Sequence, residues 1–123
     1  MGGYRELEIY KLSKELAVKM RKVTWALPKI ETYEEGSRIR RSSKAIAAAI
    51  VEGYGRSRYK AEHIKYFTYT HAECDETILH LEFLFETESF KDKNRYDELH
   101  SSYDQLGRKL NKYIQWVEEN WNT

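Results

Sequence analysis

In residues 96–117, YDELHSSYDQLGRKLNKYIQWV, apolar or aromatic side chains recur at Tyr96, Leu99, Tyr103, Leu106, Leu110, Tyr113 and Val117. The steps alternate three and four without a break, which is a heptad seam. Such seams favour near-parallel helices that cross at a gentle left-handed angle. The spacing predicts a helix over about 94–120.

Three further segments upstream carry the same period. Ile9, Leu12, Leu16, Met20, Val23 and Leu27 fall on one stripe of a helix over about 7–27, with Lys11, Lys14, Arg21 and Lys22 roughly opposite. Pro28 then stops it, because its ring disfavours helical geometry in the preceding residue. A second helix is expected over about 33–54, entered through a capping box of Thr32 and Glu35. Ile39, Ile46 and Ile50 form its apolar stripe, and Arg40, Arg41 and Lys44 lie on the other side. The small side chains Ala45, Ala47, Ala48 and Ala49 allow close approach of another helix, from this chain or a second copy. Gly53 and Gly55 are expected to end it, as caps. The third helix, about 59–86, shows Phe67, Cys74, Ile78, Leu81 and Phe85 on a stripe that His71 completes. No alternating strand pattern competes.

The links between segments are short, so consecutive helices are expected as antiparallel neighbours. The 123 residues suffice for one domain with a core and are too few for two. The expected fold is all-α: a single up-and-down antiparallel four-helix bundle with left-handed twist, spanning 1–123.

Composition narrows function. The longest apolar run, Ala45 to Val51, is far short of a membrane span. The N-terminus lacks a secretory pattern, and the lone Cys74 cannot form an internal disulfide, so a reduced cytoplasmic setting is expected. Net charge is +1, yet residues 1–66 hold 15 Lys/Arg against 8 Asp/Glu, and residues 67–123 hold 6 against 12. A basic face from the first two helices, open to a polyanion, is one consequence; mixed solvated surfaces are the other.

Catalytic and metal chemistry find little support. A di-iron bundle needs paired Glu-x-x-His motifs, which are absent; Asp97 with His100, Glu76 with His80, and His71 with Cys74 are isolated pairs. Cys74 sits on an apolar stripe, where thiols are inert, and the Glu73/Glu76 pair is ordinary for a helix surface. Residues 53–57 follow a helix and lack the glycine and lysine of a phosphate loop. Neither an enzyme nor a cofactor is expected. Nucleic-acid binding is better supported: Lys11, Lys14, Arg21, Lys22, Arg40, Arg41, Lys44, Arg56, Arg58 and Lys60 can contribute phosphate contacts, with Tyr54 and Tyr59 beside the turn available to stack on bases. The alternative is that Arg40 and Arg41 pair with acids such as Glu52 or Glu76 and hold the bundle together. Ten tyrosines and three tryptophans exceed what a thin bundle can bury alone, which favours assembly of several copies.

Leu7-Glu8-Ile9-Tyr10, Leu27-Pro28, Ile39-Arg40-Arg41 with Ile46, Ile50-Val51-Glu52-Gly53, Arg56 and Glu76 together resemble the proteins encoded in intervening sequences of bacterial large-subunit ribosomal RNA genes. The same family includes accessory variability proteins of diversity-generating retroelements. The likeness spans nearly the whole chain and departs from the usual pattern at Arg38, Ala45, Ala49 and Ala72-Glu73. It implies a four-helix bundle assembled as a homopentamer. Through the retroelement-type members it further implies RNA or DNA as a partner, with a nucleic-acid enzyme such as a reverse transcriptase; no membrane partner is expected, given the short apolar run. From the basic pattern together with this resemblance, Arg40, Arg41, Lys44 and Arg56, with Lys11, Lys14 and Lys22, are the candidate nucleic-acid contacts; a protein-interaction scaffold without nucleic-acid affinity is the alternative.

Overall fold

A computed structural model describes residues 3–121. Four helices account for most of them: α1 Glu8–Trp25, α2 Glu35–Gly55, α3 Lys60–Glu86 and α4 Lys93–Asn120. Short 3₁₀ turns, Gly3–Glu6 and Lys29–Thr32, precede α1 and link it to α2. Each helix packs on its neighbours in the chain, and α1 meets α4 to close the bundle. Cross-links show the antiparallel order. Ser42 faces Thr77 and Glu35 faces His80 between α2 and α3. The Lys60 ammonium reaches the Glu118 carbonyl between α3 and α4, and Lys109 reaches Glu8 between α4 and α1.

The α4 seam is the core's spine. Leu99, Tyr103, Leu106, Leu110 and Val117 are buried, and Tyr96 and Tyr113 pack at its edge. Leu16 and Met20 from α1, Ile39, Ile46 and Ile50 from α2, and Phe67, Leu81 and Leu84 from α3 complete it. Each such side chain removed from water contributes roughly 1.5–3 kcal/mol before chain entropy is counted.

Three expectations about local structure are corrected. First, α3 buries His63, Phe67, Thr70, Cys74, Thr77, Leu81 and Leu84. Ile78 and Phe85 lie on the flank toward α4, where Phe85 stacks on Tyr96 with ring centroids 4.1 Å apart. A helix between two neighbours needs a face wider than one stripe. Thr70 and Thr77 qualify for the interior because their hydroxyls bond the Tyr66 and Glu73 carbonyls one turn back, at 2.9 and 2.8 Å.

Second, the Thr32/Glu35 capping box does not form. The buried Glu31 carboxylate takes the entry of α2, accepting from the Gly36 amide at 3.4 Å and the Ser89 hydroxyl at 2.6 Å. Glu35 is turned instead toward His80. A Cβ on Gly36 would stand 2.3 Å from the Glu31 carbonyl oxygen, so this entry admits only glycine. Third, Gly53 is no cap. It lies within α2, where a Cβ would sit 2.8 Å from the Phe67 ring; its role is close approach of α2 to α3.

Candidate nucleic-acid interface

Lys14, Ala17, Val18 and Arg21 recur at steps of three, one and three, which puts them on one edge of α1. Arg40, Lys44 and Ala47, at steps of four and three, form one edge of α2. The antiparallel packing of α1 and α2 sets these edges side by side and opens a cleft of about 230 Å³ between them. Its floor is Ala17, Val18 and Ala47; its rims are the four cations. A second cavity of about 280 Å³ continues it, sharing Arg21 and Arg40 and bounded by Thr24, Trp25, Leu27 and Thr32.

Among the described residues none of Lys14, Arg21, Arg40 and Lys44 takes part in an ion pair. The nearby Glu15 is directed to Lys19 at 3.9 Å. Arg40 donates from Nη2 to the Thr32 carbonyl at 2.8 Å, pinning the 3₁₀ turn to α2 while its side chain lines both cavities. The Arg21 guanidinium lies 4.7 Å from the centre of the Trp25 ring.

The other candidates divide. Lys11 and Lys22 line a shallow depression on the outer side of α1, which shares Lys14 with the cleft; Lys11 also approaches Glu6 at 4.0 Å. Arg41 is exposed and outside both cavities. Neither Arg40 nor Arg41 pairs with Glu52 or Glu76 among the described residues; Glu52 is 3.6 Å from Arg56, and Glu76 is 3.6 Å from His80.

Arg56 belongs to a different environment, the turn between α2 and α3. Its guanidinium stacks on Tyr66 at 4.5 Å, with Glu52 and Glu62 each at 3.6 Å. Tyr66 and the two acids hold its proton more firmly than usual. Behind that turn His63 is buried. A carbonyl can only accept, so Nδ1–H donates to the Gly53 carbonyl at 2.8 Å, and Nε2 then accepts from the Tyr113 hydroxyl at 2.9 Å. Burial pushes the His63 pKa down, so the ring is held neutral.

The other histidines and several acids near them have partners. His80 joins Glu35 at 2.6 Å, and His100 lies 2.9 Å from Glu82 and 3.7 Å from Asp104. His71 is 3.6 Å from Asp75, and Asp97 takes Lys93 at 2.6 Å. Burial first, then the neighbouring Glu76, raises the Glu73 pKa. No cluster of three or more metal-ligating side chains occurs among the described residues. Burial lifts the Cys74 thiol to about 12, far from a nucleophile's range. No described helix is long and apolar enough to cross a membrane.

The profile of the 23S rRNA-intervening sequence proteins matches residues 5–112, which is most of the chain. The chain belongs to that family. A crystal structure of a protein of unknown function, from the S23 ribosomal protein family and from Bacteroides thetaiotaomicron, is similar to this intervening sequence protein. The likeness has a TM-score of 0.78 at 23% identity and covers 87% of this chain and 95% of that one. It establishes the fold alone. A comparison with curated proteins finds no match. Neither description, of the family or of the solved relative, names an enzymatic activity.

Sequence reasoning singled out the cations that line these cavities and passed over their apolar parts, Ala17, Val18 and Trp25. The signal was present: Trp25 follows Arg21 by one helical turn.

Proposed function

We propose that this intervening sequence protein is a non-enzymatic binding protein whose α1–α2 cleft takes the phosphates of a nucleic acid. The observation that carries it is the cleft itself. Lys14, Arg21, Arg40 and Lys44 converge there without an acidic partner among the described residues, whereas Arg56, Lys93 and Lys109 are matched with carboxylates. Unneutralised cations on a concave surface raise the local concentration of a polyanion and release its counterions on contact. Family membership gives the proposal an RNA-gene setting. Service as accessory to a nucleic-acid enzyme, such as a reverse transcriptase, rests on the family resemblance in sequence.

Assembly into several copies, a homopentamer by that resemblance, is supported by large hydrophobic side chains left exposed on α3. Tyr69, Leu79 and Phe83 sit on its outward side, each nearly half exposed. A ring of subunits would repeat the cleft and multiply its avidity. The near-neutral net charge favours a different occupant for these surfaces, a protein, and makes a pure scaffold the second reading.

Anisotropy titration of a stem-loop RNA and a DNA duplex across a salt series separates the two. With four phosphate contacts the affinity is expected to fall roughly 50-fold or more between about 50 and 200 mM salt. The double variant Arg21→Ala/Lys44→Ala should about halve the log–log slope without changing the melting temperature. Absence of binding at low salt would leave the scaffold. Light scattering on the same preparation gives the number of copies, and a monomer at working concentration would remove the ring.

A further inference from the structure

We infer that the cleft is built for an unpaired strand, whose bases enter it and stack on Trp25. This rests on the phosphate-binding proposal above and specifies its ligand. Three features point the same way.

The surface is concave. Proteins that read duplexes insert a convex element, a helix or ribbon, into a groove of the nucleic acid. Here the protein supplies the groove, and the ligand must supply what fills it. Two joined cavities of about 230 and 280 Å³ are far too small for a double helix.

The floor is apolar. Ala17, Val18 and Ala47 lie between cationic rims, and a phosphate gains nothing from such a floor. An unpaired nucleotide presents both chemistries together, an anionic backbone for the rims and a flat, weakly polar base for the floor. In a duplex the bases are already stacked and hidden.

The third feature is the ring. Trp25 closes α1 and is 70% exposed, although tryptophan is a costly side chain to leave in water. Arg21 covers one side of the indole, and so both orients the ring and adds positive charge where a phosphate would lie. Tyr33, 88% exposed, stands next to Thr32, which forms the wall of the second cavity. Arg40 fixes that wall through the Thr32 carbonyl. A strand laid along the cleft would pass from the Lys14 and Lys44 rim to the Trp25 end.

The test compares fluorescein-labelled oligo(dT) of about 16 nucleotides with a duplex of equal length, at one low and one moderate salt concentration. The strand should bind at least about tenfold more tightly than the duplex. Trp25→Ala should lose roughly tenfold on the strand, with the salt slope unchanged because no charge has been removed, and almost nothing on the duplex. Trp25→Phe should restore part of the loss. Equal affinity for both probes, or a Trp25→Ala protein that binds the strand as well as wild type, overturns the unpaired-strand inference and leaves phosphate binding standing. A Trp25→Ala protein that loses both probes equally and melts earlier would make the ring structural, which also overturns it. If neither probe binds at low salt, the phosphate-binding proposal fails and takes this inference with it.

Discussion

Arg21 over Trp25 and Arg56 over Tyr66 are chemically the same pair, a guanidinium 4.7 or 4.5 Å from an aromatic ring. Their surroundings are opposite. Arg56 has Glu52 on one side and Glu62 on the other and closes a turn above the buried His63. Arg21 has no acid paired with it among the described residues, borders an open cleft, and leaves its ring in solvent. Arginine beside an aromatic residue is therefore no sign of a binding site by itself. What matters is whether the protein has already used the charge.

The largest effect is expected at His63. Replacing it with alanine removes a buried ring and strands the Gly53 carbonyl and the Tyr113 hydroxyl. A loss of about 2–4 kcal/mol in urea unfolding is expected. Nucleic-acid affinity of the folded fraction should be unchanged. A His63→Ala protein of normal stability that no longer binds would exchange the roles of the two regions.

A smaller effect follows from pH. Burial lowers the His63 pKa below its ordinary 6.5, so the unfolded chain binds the proton more readily than the folded one. The sign is then fixed: the His63 contribution to stability is fully present above pH 6.5 and is lost as pH drops below it toward the folded-state value. Urea midpoints of wild type and His63→Gln, measured at neutral and mildly acidic pH, should show a steeper acid loss for wild type. Parallel curves would mean that His63 does not stay neutral.

The smallest effect belongs to Arg56→Ala. It should lower the melting temperature slightly and change nucleic-acid affinity by less than about twofold. A loss comparable with that of the Arg21/Lys44 double variant would put Arg56 back among the phosphate contacts.

The bundle was legible because α4 spells its seam entirely in apolar and aromatic letters, so one period decides it. The inner face of α3 was harder to read because Thr70, Thr77 and His63 are polar letters in buried places. Their burial depends on bonds to carbonyls and to Tyr113, which no periodicity records. The entry of α2 misled for a related reason. Thr32 and Glu35 have the spacing of a cap, but Glu31 reaches the amide from within a 3₁₀ turn. The cations of the cleft were visible as charge. Their sorting was not, because Glu62, which helps neutralise Arg56, lies across a turn on the next helix, and the cleft arises only where two helix edges meet.

Cys74 gives the bundle a built-in clock. It is the chain's one thiol, fully buried, with its hydrogen directed at the Tyr103 carbonyl 3.4 Å away on the facing helix. A thiol reagent cannot reach it until α3 and α4 part, and its high pKa silences it until water arrives. The rate at which native protein is labelled in excess reagent thus counts openings of that seam. A ligand bound to the remote α1–α2 cleft should slow the count only so far as it steadies the whole bundle, which turns one sulfur atom into a gauge of how tightly the four helices act together.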